Sequence, residues 1–483
     1  MRIAFINPQG NFDNNDSYWT QHPDFGGQLV YVKEVALALG EMGVKVDIIT
    51  RKIVDDEWVG FSKDVEIYHG NENVRVVRIP FGGDKFLPKE QLWPYLANEF
   101  INGIVEFYKK ENTKPDAITT HYADGGLVGA ILSNIFDVPF TFTAHSLGAQ
   151  KMDKLCVNKE NFDEFERRFN FSKRIIAERI AMNRSYVNIV STAQERYNQY
   201  SHKYYKGAVD VNDDKKFKVI PPGVNTKVFT YEYREEDDKT KEYIYKYLRR
   251  DIAEDRLNLQ YVVLSSRFDK KKNHKGAVLA FAKNKKLQEK ANLVIVLRNV
   301  ENAFEDYSNL NVEEKEIMDE IMSIIKQYNL YGKVSMFPIN GQKQLASAYR
   351  VFSKLRSVFC LTALYEPFGL APIEAMYAGL PAVVTKNGGT LETVDRGRYG
   401  VVVDPENPED IAEGLIKALD NFDMYKRLGI ERVESKYTWR ATAVGYLKVI
   451  EEALGKREEI EDYYYTGAQE ENLIRKMKGM LGD

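Results

Sequence analysis

Short apolar runs separated by stretches of helical periodicity recur along this chain, and they fall into two series. In the first, residues 2–6, 45–49, 116–120, 139–143 and 187–191 read as strands with helix-period segments between them. In the second, residues 261–265, 292–297, 333–337, 357–361, 382–385 and 400–403 repeat the pattern. Runs that are apolar throughout fit strands covered on both faces, and the helical segment between consecutive runs supplies the crossover that parallel pairing needs. The spacing therefore predicts an α/β chain with two doubly wound, Rossmann-like halves. The pattern breaks near Ile220-Pro-Pro-Gly-Val-Asn225, and a polar stretch follows over 231–256, which places the junction there. We expect a first domain over residues 1–225, joined by C-terminal helices from about 455 to 483, and a second domain over 226–454. The helical segment 439–454 leads back towards the first domain, 469–481 reads as a final helix, and Tyr463-Tyr-Tyr-Thr-Gly467 reads as a surface strap.

Charge and cysteine usage narrow the class. With 68 Lys and Arg against 71 Asp and Glu in 483 residues, the total carries no nucleic-acid footprint and no preference for anionic membranes, so any anion site has to be local. No apolar run approaches the roughly 20 residues of a membrane span, and the first residues read as a strand without a signal-peptide pattern. The two cysteines, Cys156 and Cys360, lie in different halves and suggest a reducing compartment without a disulfide framework. A cytoplasmic enzyme with neither nucleic-acid nor membrane partners is the expectation.

The segment Glu366-Pro-Phe-Gly-Leu-Ala-Pro-Ile-Glu374 holds two carboxylates across a Pro/Gly turn after the run Ser357-Val-Phe-Cys-Leu361. Strand, turn and helix start leave free N–H groups where the helix dipole is positive, which suits a phosphate or carbohydrate oxygen. Glu366 at the strand end can accept bonds from hydroxyls, and Glu374, counted as about two turns along at ~3.6 residues per turn, can reach a ribose. Phe368, Gly369 and Leu370 shape the turn between them. A second glycine turn, Lys386-Asn-Gly-Gly-Thr-Leu-Glu392, follows the neighbouring strand run. A capping Glu and a surface Glu are the plainer reading of one such pair, and the second turn argues against it.

Three further constellations sit at strand ends. Gly26-Gly27-Gln28 closes the loop after the first strand and opens a helix whose apolar face is Val32, Val35, Ala36, Leu39 and Met42. His121-Tyr122-Ala-Asp124 and Thr143-Ala-His145-Ser146 each follow an apolar run. No second His or Cys at ligand spacing accompanies His145, so a metal site is not expected. Ser265-Ser-Arg267-Phe-Asp-Lys-Lys-Lys272 follows the first strand of the second series, where a guanidinium and an ammonium can neutralise a diphosphate leaving group. No Asp-x-Asp stands in a fitting loop, so these cations are expected to do the work of a metal, and no cofactor is expected.

At this point the chain resembles the retaining glycosyltransferases of the GT-B fold, whose two Rossmann-like domains face a central crevice. The stretch 12–28, Phe81-Gly-Gly-Asp-Lys-Phe-Leu-Pro-Lys89, the Tyr122 and His145 motifs, Lys173-Arg174-Ile-Ile-Ala-Glu178 and residues 366–389 together look like the sucrose-phosphate synthase family. That resemblance implies transfer of glucose from a nucleoside diphosphate, UDP-glucose being favoured, to fructose 6-phosphate with retention. It implies that His145, Arg267, Lys272 and Glu366 serve catalysis. Donor binding then falls to Gly26, Gly27, Arg267, Lys272, Glu366, Phe368, Gly369, Leu370 and Glu374. Acceptor binding falls to Gly26, Gln28, Lys89, Tyr122, Ser146, Lys151, Lys173 and Arg174. The chain departs from plant-type members at Ala144, where they carry Gly, and at Lys173-Arg174, where they carry two arginines; around Ala181-Met-Asn183 it is more similar to sucrose synthase, which uses free fructose. Sucrose synthase, mannosylfructose-phosphate synthase with GDP-mannose, and a non-catalytic nucleotide-sugar-binding regulator stay open as alternatives.

Overall fold

A computed structural model of the chain describes residues 1–19, 22, 24–455 and 467–481. It divides into two compact units, Met1–Pro222 with Trp439–Asp483, and Gly223–Thr438. The first unit holds eight strands: β1 (Arg2–Ile6), β2 (Lys45–Arg51), β3 (Val65–Tyr68), β4 (Asn71–Ile79), β5 (Ala117–His121), β6 (Phe140–Thr143), β7 (Val187–Val190) and β8 (Phe217–Val219). They lie in the order β3-β4-β2-β1-β5-β6-β7-β8, and every pairing is parallel except β3 with β4. The second unit holds β9 (Gln260–Leu264), β10 (Ala291–Leu297), β11 (Val334–Pro338), β12 (Val358–Leu361), β13 (Ala382–Thr385) and β14 (Val401–Val403), all parallel, in the order β11-β10-β9-β12-β13-β14.

Both sheets are covered on two faces, as the unbroken apolar runs require. In β9, Val262 and Leu264 enter one buried cluster with Ile295, Val383 and Leu415, while Tyr261 and Val263 enter another with Val294, Phe359 and Phe352. Successive side chains of a strand point to opposite faces, so one apolar run supplies two cores. The order reverses at β1 in the first sheet and at β9 in the second, and ligands of open parallel sheets bind beyond the strand ends at such a point.

Three expectations need correction. The hairpin β3–β4 and the edge strand β8 were not among the predicted strands. Val65-Glu-Ile-Tyr68 and Asn71-Glu-Asn-Val-Arg-Val-Val-Arg-Ile79 interleave charges with apolar residues, and His69 and Gly70 turn the chain with positive φ at both positions. The return to the first unit comes after Thr438, earlier than the expected boundary at 454. The helix Trp439–Ala453 packs on the helix Gly27–Glu41: Tyr446 accepts from the Tyr31 hydroxyl at 3.2 Å and shares a hydrogen bond with Thr143 Oγ1 at 2.6 Å. The final helix, Gly467–Met480, joins the same unit through Met477 and Leu481, which share a buried cluster with Phe142 and Phe171. Of the expected strap over 463–467, residues 463–466 lie outside the described residues. Cys360 is buried in β12, Cys156 is exposed, and both are free thiols.

One buried ion pair locks two helices of the second unit. Arg350 on the helix Gly341–Lys354 donates from Nε and Nη2 to Asp237 at 2.6 and 2.7 Å, and Ser347 Oγ donates to the same carboxylate at 2.6 Å. Both charged side chains are essentially without solvent contact. Removing one partner of such a pair strands the other charge, so Asp237→Ala is expected to lower unfolding free energy by about 3–5 kcal/mol in urea denaturation. A loss below about 1 kcal/mol would contradict this account.

Candidate functional site

The reversal at β9 in the second unit sets two loops side by side. The loop after β9 carries Arg267 and the short turn Lys270–Lys272; the loop after β12 carries Glu366 to Gly369. Asp269 caps the turn by accepting from the Lys271 N–H at 2.8 Å, and Leu364 N–H donates to the Lys271 carbonyl at 2.8 Å, so the loops are tied by their backbones. Across this tie Lys272 Nζ meets Glu366 Oε2 at 2.5 Å, with the two side chains 21% and 13% exposed. Ammonium and carboxylate hold each other in place while keeping an open edge. Arg267 is exposed and makes no hydrogen bond or ion pair with a described residue, so its fork of donors is free for an anion.

Glu366 is fixed at its backbone as well. Its N–H donates to Asn387 O at 3.1 Å and its carbonyl accepts from Gly389 N–H at 2.8 Å, which joins the two glycine turns. Gly388, at φ +108°, lies so close that a Cβ would stand 2.0 Å from the Glu366 carbonyl oxygen, and only glycine fits. Gly369 ends the turn in the left-handed region, and the helix Leu370–Tyr377 starts directly after it with no side-chain cap. Glu374 is therefore little more than one turn along the helix, not the two turns expected, because the helix opens after Gly369 and not at Glu366. Its carboxyl makes no hydrogen bond to a described residue, and burial pushes its pKa up to about 7. Leu370 is 47% exposed beside it, and Phe368 sets its ring edge-on to Tyr437 at 6.0 Å.

In the first unit the switch lies between β1 and β5. Asn7, just past β1, accepts from Gln28 Nε2 and donates to the Gln9 carbonyl at 2.7 Å, which anchors the long loop that ends at Gly26 and Gly27. Both glycines are exposed. The helix Tyr122–Phe136 follows β5 directly, with Tyr122 at φ +69°. Gly125 allows this close seat, since a Cβ there would lie 2.6 Å from the Ile6 carbonyl oxygen.

A cationic pocket opens beside that helix, lined by Lys89, Glu90, Trp93, Tyr122, Asp124, Lys151, Phe169 and Arg174. Four expected acceptor residues meet here: Lys89, Tyr122, Lys151 and Arg174. Lys173 does not line it; from the helix Phe171–Arg184 it is Arg174 that reaches the pocket. Gln28 and Ser146 also stand outside the lining, Ser146 serving Arg174 instead. Arg174 is 4% exposed; its Nε donates to Glu178 at 2.9 Å, its Nη2 donates to the Ser146 carbonyl and hydroxyl at 2.8 and 2.9 Å, and its guanidinium lies 4.4 Å over the Tyr122 ring. Nη1 makes no bond to a described residue. Lys89 is clasped by Asp24, Nζ to Oδ1 at 2.6 Å.

Lys151 is the least committed cation. Glu90 is 3.8 Å away, and Nζ sits 3.6 Å over the Phe169 ring. Burial and the neighbouring Arg174 push its pKa down to about 8. Asp124, which was not singled out as a site residue, is buried in the same lining and pushed up to about 7 by that burial, against the pull of Gly125 N–H and Lys89. Its signal in the sequence was only its place two residues after Tyr122.

His145 also gains an unforeseen neighbour. His121, at the end of β5, stands beside it at the end of β6, with His121 Nδ1 and His145 Nε2 2.9 Å apart. Burial pushes His145 down to about 3, and burial with the adjacent His145 pushes His121 well below the ordinary imidazole value. The second histidine comes from a neighbouring strand and not from metal-ligand spacing along the chain. The nitrogens touch directly, which leaves no room for an ion between them. Among the described residues no group of three or more His, Cys, Asp or Glu side chains could hold a metal ion, and no helix is long and apolar enough to cross a membrane.

Residues 1–248 match the family model of the sucrose synthase first GT-B domain, and residues 249–432 match that of glycosyl transferases group 1. Fold and site together define a glycosyltransferase of the GT-B class. The chain is 45% identical over 93% of its length to a probable sucrose-phosphate synthase from Thermosipho melanesiensis, of which it covers 96%. With that relative and those two models, the chain belongs to the sucrose-phosphate synthase family. It is also 30% identical over 91% of its length to a sucrose synthase from Thermosynechococcus vestitus, covering 60% of that protein, and it spans about half the length of the plant relatives it matches. Among solved structures, a sucrose-phosphate synthase from Thermosynechococcus elongatus shares the fold, with a TM-score of 0.59 and 24% identity over 93% of this chain and 98% of that one.

The isolated carboxyl of Glu374 generates a stability prediction. The folded form keeps its proton up to about 7, whereas the ordinary value is 4.5. Between those values the folded state binds more protons than the unfolded state, so this group's contribution falls as pH rises through that window. Glu374→Gln should be more stable than wild type at pH 8 by on the order of 1–2 kcal/mol and should lose that advantage at pH 4. Urea midpoints at the two pH values check this, and an advantage independent of pH would contradict it.

Proposed function

We propose that the chain transfers glucose from a nucleoside diphosphate, UDP-glucose being favoured, to fructose 6-phosphate with retention at the anomeric carbon, giving sucrose 6-phosphate. The observation that carries the reading is the first-unit pocket, where Lys151, paired only loosely with Glu90, holds its ammonium beside Lys89 and Arg174 and above an aromatic floor. A half-buried ammonium of that kind suits a phosphate ester, and a neutral hydroxyl has little use for it. The sucrose-phosphate synthase from Thermosipho supports the same choice by its name.

On the donor side, Arg267 and Lys272 neutralise the departing diphosphate, Glu366 accepts from sugar hydroxyls while steadying Lys272, and Glu374 takes the ribose hydroxyls. The exposed glycines Gly26 and Gly27 offer backbone donors to the diphosphate and acceptor. Phe368, Gly369 and Leu370 shape the turn against the nucleotide. The diphosphate oxygen takes the acceptor proton as the glycosidic bond forms on the face it leaves, through an oxocarbenium-like transition state. No protein nucleophile, metal or cofactor is called for in this scheme. Charge on the leaving group peaks in the transition state, so Lys272→Ala is expected to lower kcat by about 100-fold or more with a smaller change in KM for the donor. Unaltered turnover in that variant would exclude the scheme.

A second reading, sucrose synthase chemistry on free fructose, is favoured by the Thermosynechococcus vestitus relative and by Lys173 standing outside the pocket. A matrix of fructose and fructose 6-phosphate against UDP-, ADP- and GDP-sugars separates the two. The first reading expects product with the phosphorylated acceptor, and a preference for free fructose would favour the second.

The pocket also sets a pH dependence. Asp124 ionises as pH rises through about 7 and Lys151 loses its proton through about 8, and both changes oppose an anion. Of the other lining groups, Arg174 stays cationic because, against the pull of burial, Tyr122 and Glu178 hold it above the ordinary value, and Tyr122 stays neutral because burial raises its pKa; Lys89 and Glu90 complete the charged lining. The KM for fructose 6-phosphate should therefore rise about ten-fold or more from pH 6.5 to pH 9. Lys151→Arg, which keeps its charge, should flatten the upper part of the rise. A flat KM in wild type would sink the assignment of the pocket.

A further inference from the structure

The pair His121 and His145 has a property that neither residue has alone. Each imidazole is buried enough to stay neutral, so each carries one proton. The 2.9 Å contact between His121 Nδ1 and His145 Nε2 accommodates one of those protons. If His145 Nε2 donated, His121 would carry its proton on Nε2, a fully enclosed atom with no hydrogen-bond partner. Orphaned buried N–H donors are rarer than orphaned buried acceptors. If His121 Nδ1 donates instead, Nε2 of His121 is left with only a bare lone pair, and Nε2 of His145 is an acceptor. The proton of His145 must then lie on its other nitrogen, Nδ1, which makes no hydrogen bond to a described residue, on a residue that is half-buried and not sealed.

We propose that His121 is a positioning residue: it donates its Nδ1–H to His145 Nε2 and thereby holds His145 as a neutral donor through Nδ1 to an oxygen of the bound sugar, not as a base. The geometry suits that role. His121 ends β5 and His145 follows β6, so parallel pairing of adjacent strands brings the rings together, with 5.1 Å between centroids and 25° between their planes. Tyr31 closes the assembly from the Gly27–Glu41 helix, edge-on to His145 at 4.8 Å, and fixes the plane of the ring. The catalytic consequence rests on the transferase reading; the tautomer does not.

The test uses the full-length protein labelled with ¹⁵N-histidine, with long-range ¹H–¹⁵N spectra recorded at pH 7 and the His121→Asn spectrum used for assignment. The expected pattern is a protonated Nδ1 and a bare Nε2 on both His121 and His145. A protonated Nε2 on His145, or a doubly protonated ring, would overturn the proposal whether or not the chain is a transferase. Activity supplies the second arm. Asn places an N–H near the position of His121 Nδ1, and Phe does not. His121→Phe should lose about ten-fold in transfer kcat/KM while His121→Asn stays within about two-fold of wild type, the loss expected for one hydrogen bond. Equal losses in the two folded variants, verified by matched circular dichroism, would overturn it as well. Were no sugar transfer detected in wild type, the spectra would still decide the tautomer, and only the functional reading would have failed.

Discussion

The reversal of strand order in a parallel sheet is the constraint on which the rest of this molecule depends. A strand whose two neighbours lead away in opposite directions leaves a gap beyond its carboxyl end that no crossover covers. In the second unit that strand is β9, and the loops after β9 and β12 fill the gap with Lys272 and Glu366 in direct contact. In the first unit it is β1, flanked by β5, and the strand ends and helix starts there carry Asn7, Gln28, His121 and Tyr122. The chemistry is thus placed by topology before any side chain is chosen. The apolar strands supply the cores that hold the sheets, and the polar groups stand where the sheets end.

The site groups are held in states they would not adopt in water. Glu374 and Asp124 are carboxyls pushed up to about 7, Lys151 is an ammonium pushed down to about 8, and His145 is an imidazole pushed down to about 3, with burial the largest cause in every case. The buried charges that serve structure look different: Arg350 and Asp237 satisfy each other with two short bonds and a serine.

Much of this was legible in the sequence, for identifiable reasons. Apolar runs without alternation announce buried parallel strands, and the expected strands of both series appear within one or two residues. The β3–β4 hairpin escaped because half its residues are polar and its edge position demands no second core. That Glu366, Glu374, Arg267 and Lys272 stand past the ends of β9 and β12 was readable because they lie close along the chain to those strands. The His121–His145 contact and the role of Asp124 were not, because they depend on which strands are neighbours and on how deeply a side chain is enclosed, and neither is written in local spacing. Lys173 and Arg174 show the limit most plainly: adjacent in sequence and alike in charge, they differ by one helical step of about 100°, and only Arg174 turns into the pocket.

The central claim is that the first-unit pocket exists to hold the phosphate of a phosphorylated sugar, with Lys151 as its adjustable cation. Calorimetric titration of fructose 6-phosphate, fructose and inorganic phosphate into wild type and Lys151→Ala at pH 7 tests this without requiring turnover. The account predicts that wild type binds fructose 6-phosphate at least about ten-fold more tightly than fructose, that phosphate competes, and that Lys151→Ala removes most of the difference. Equal affinity of wild type for the two sugars, or a preference unchanged by the substitution, would contradict it.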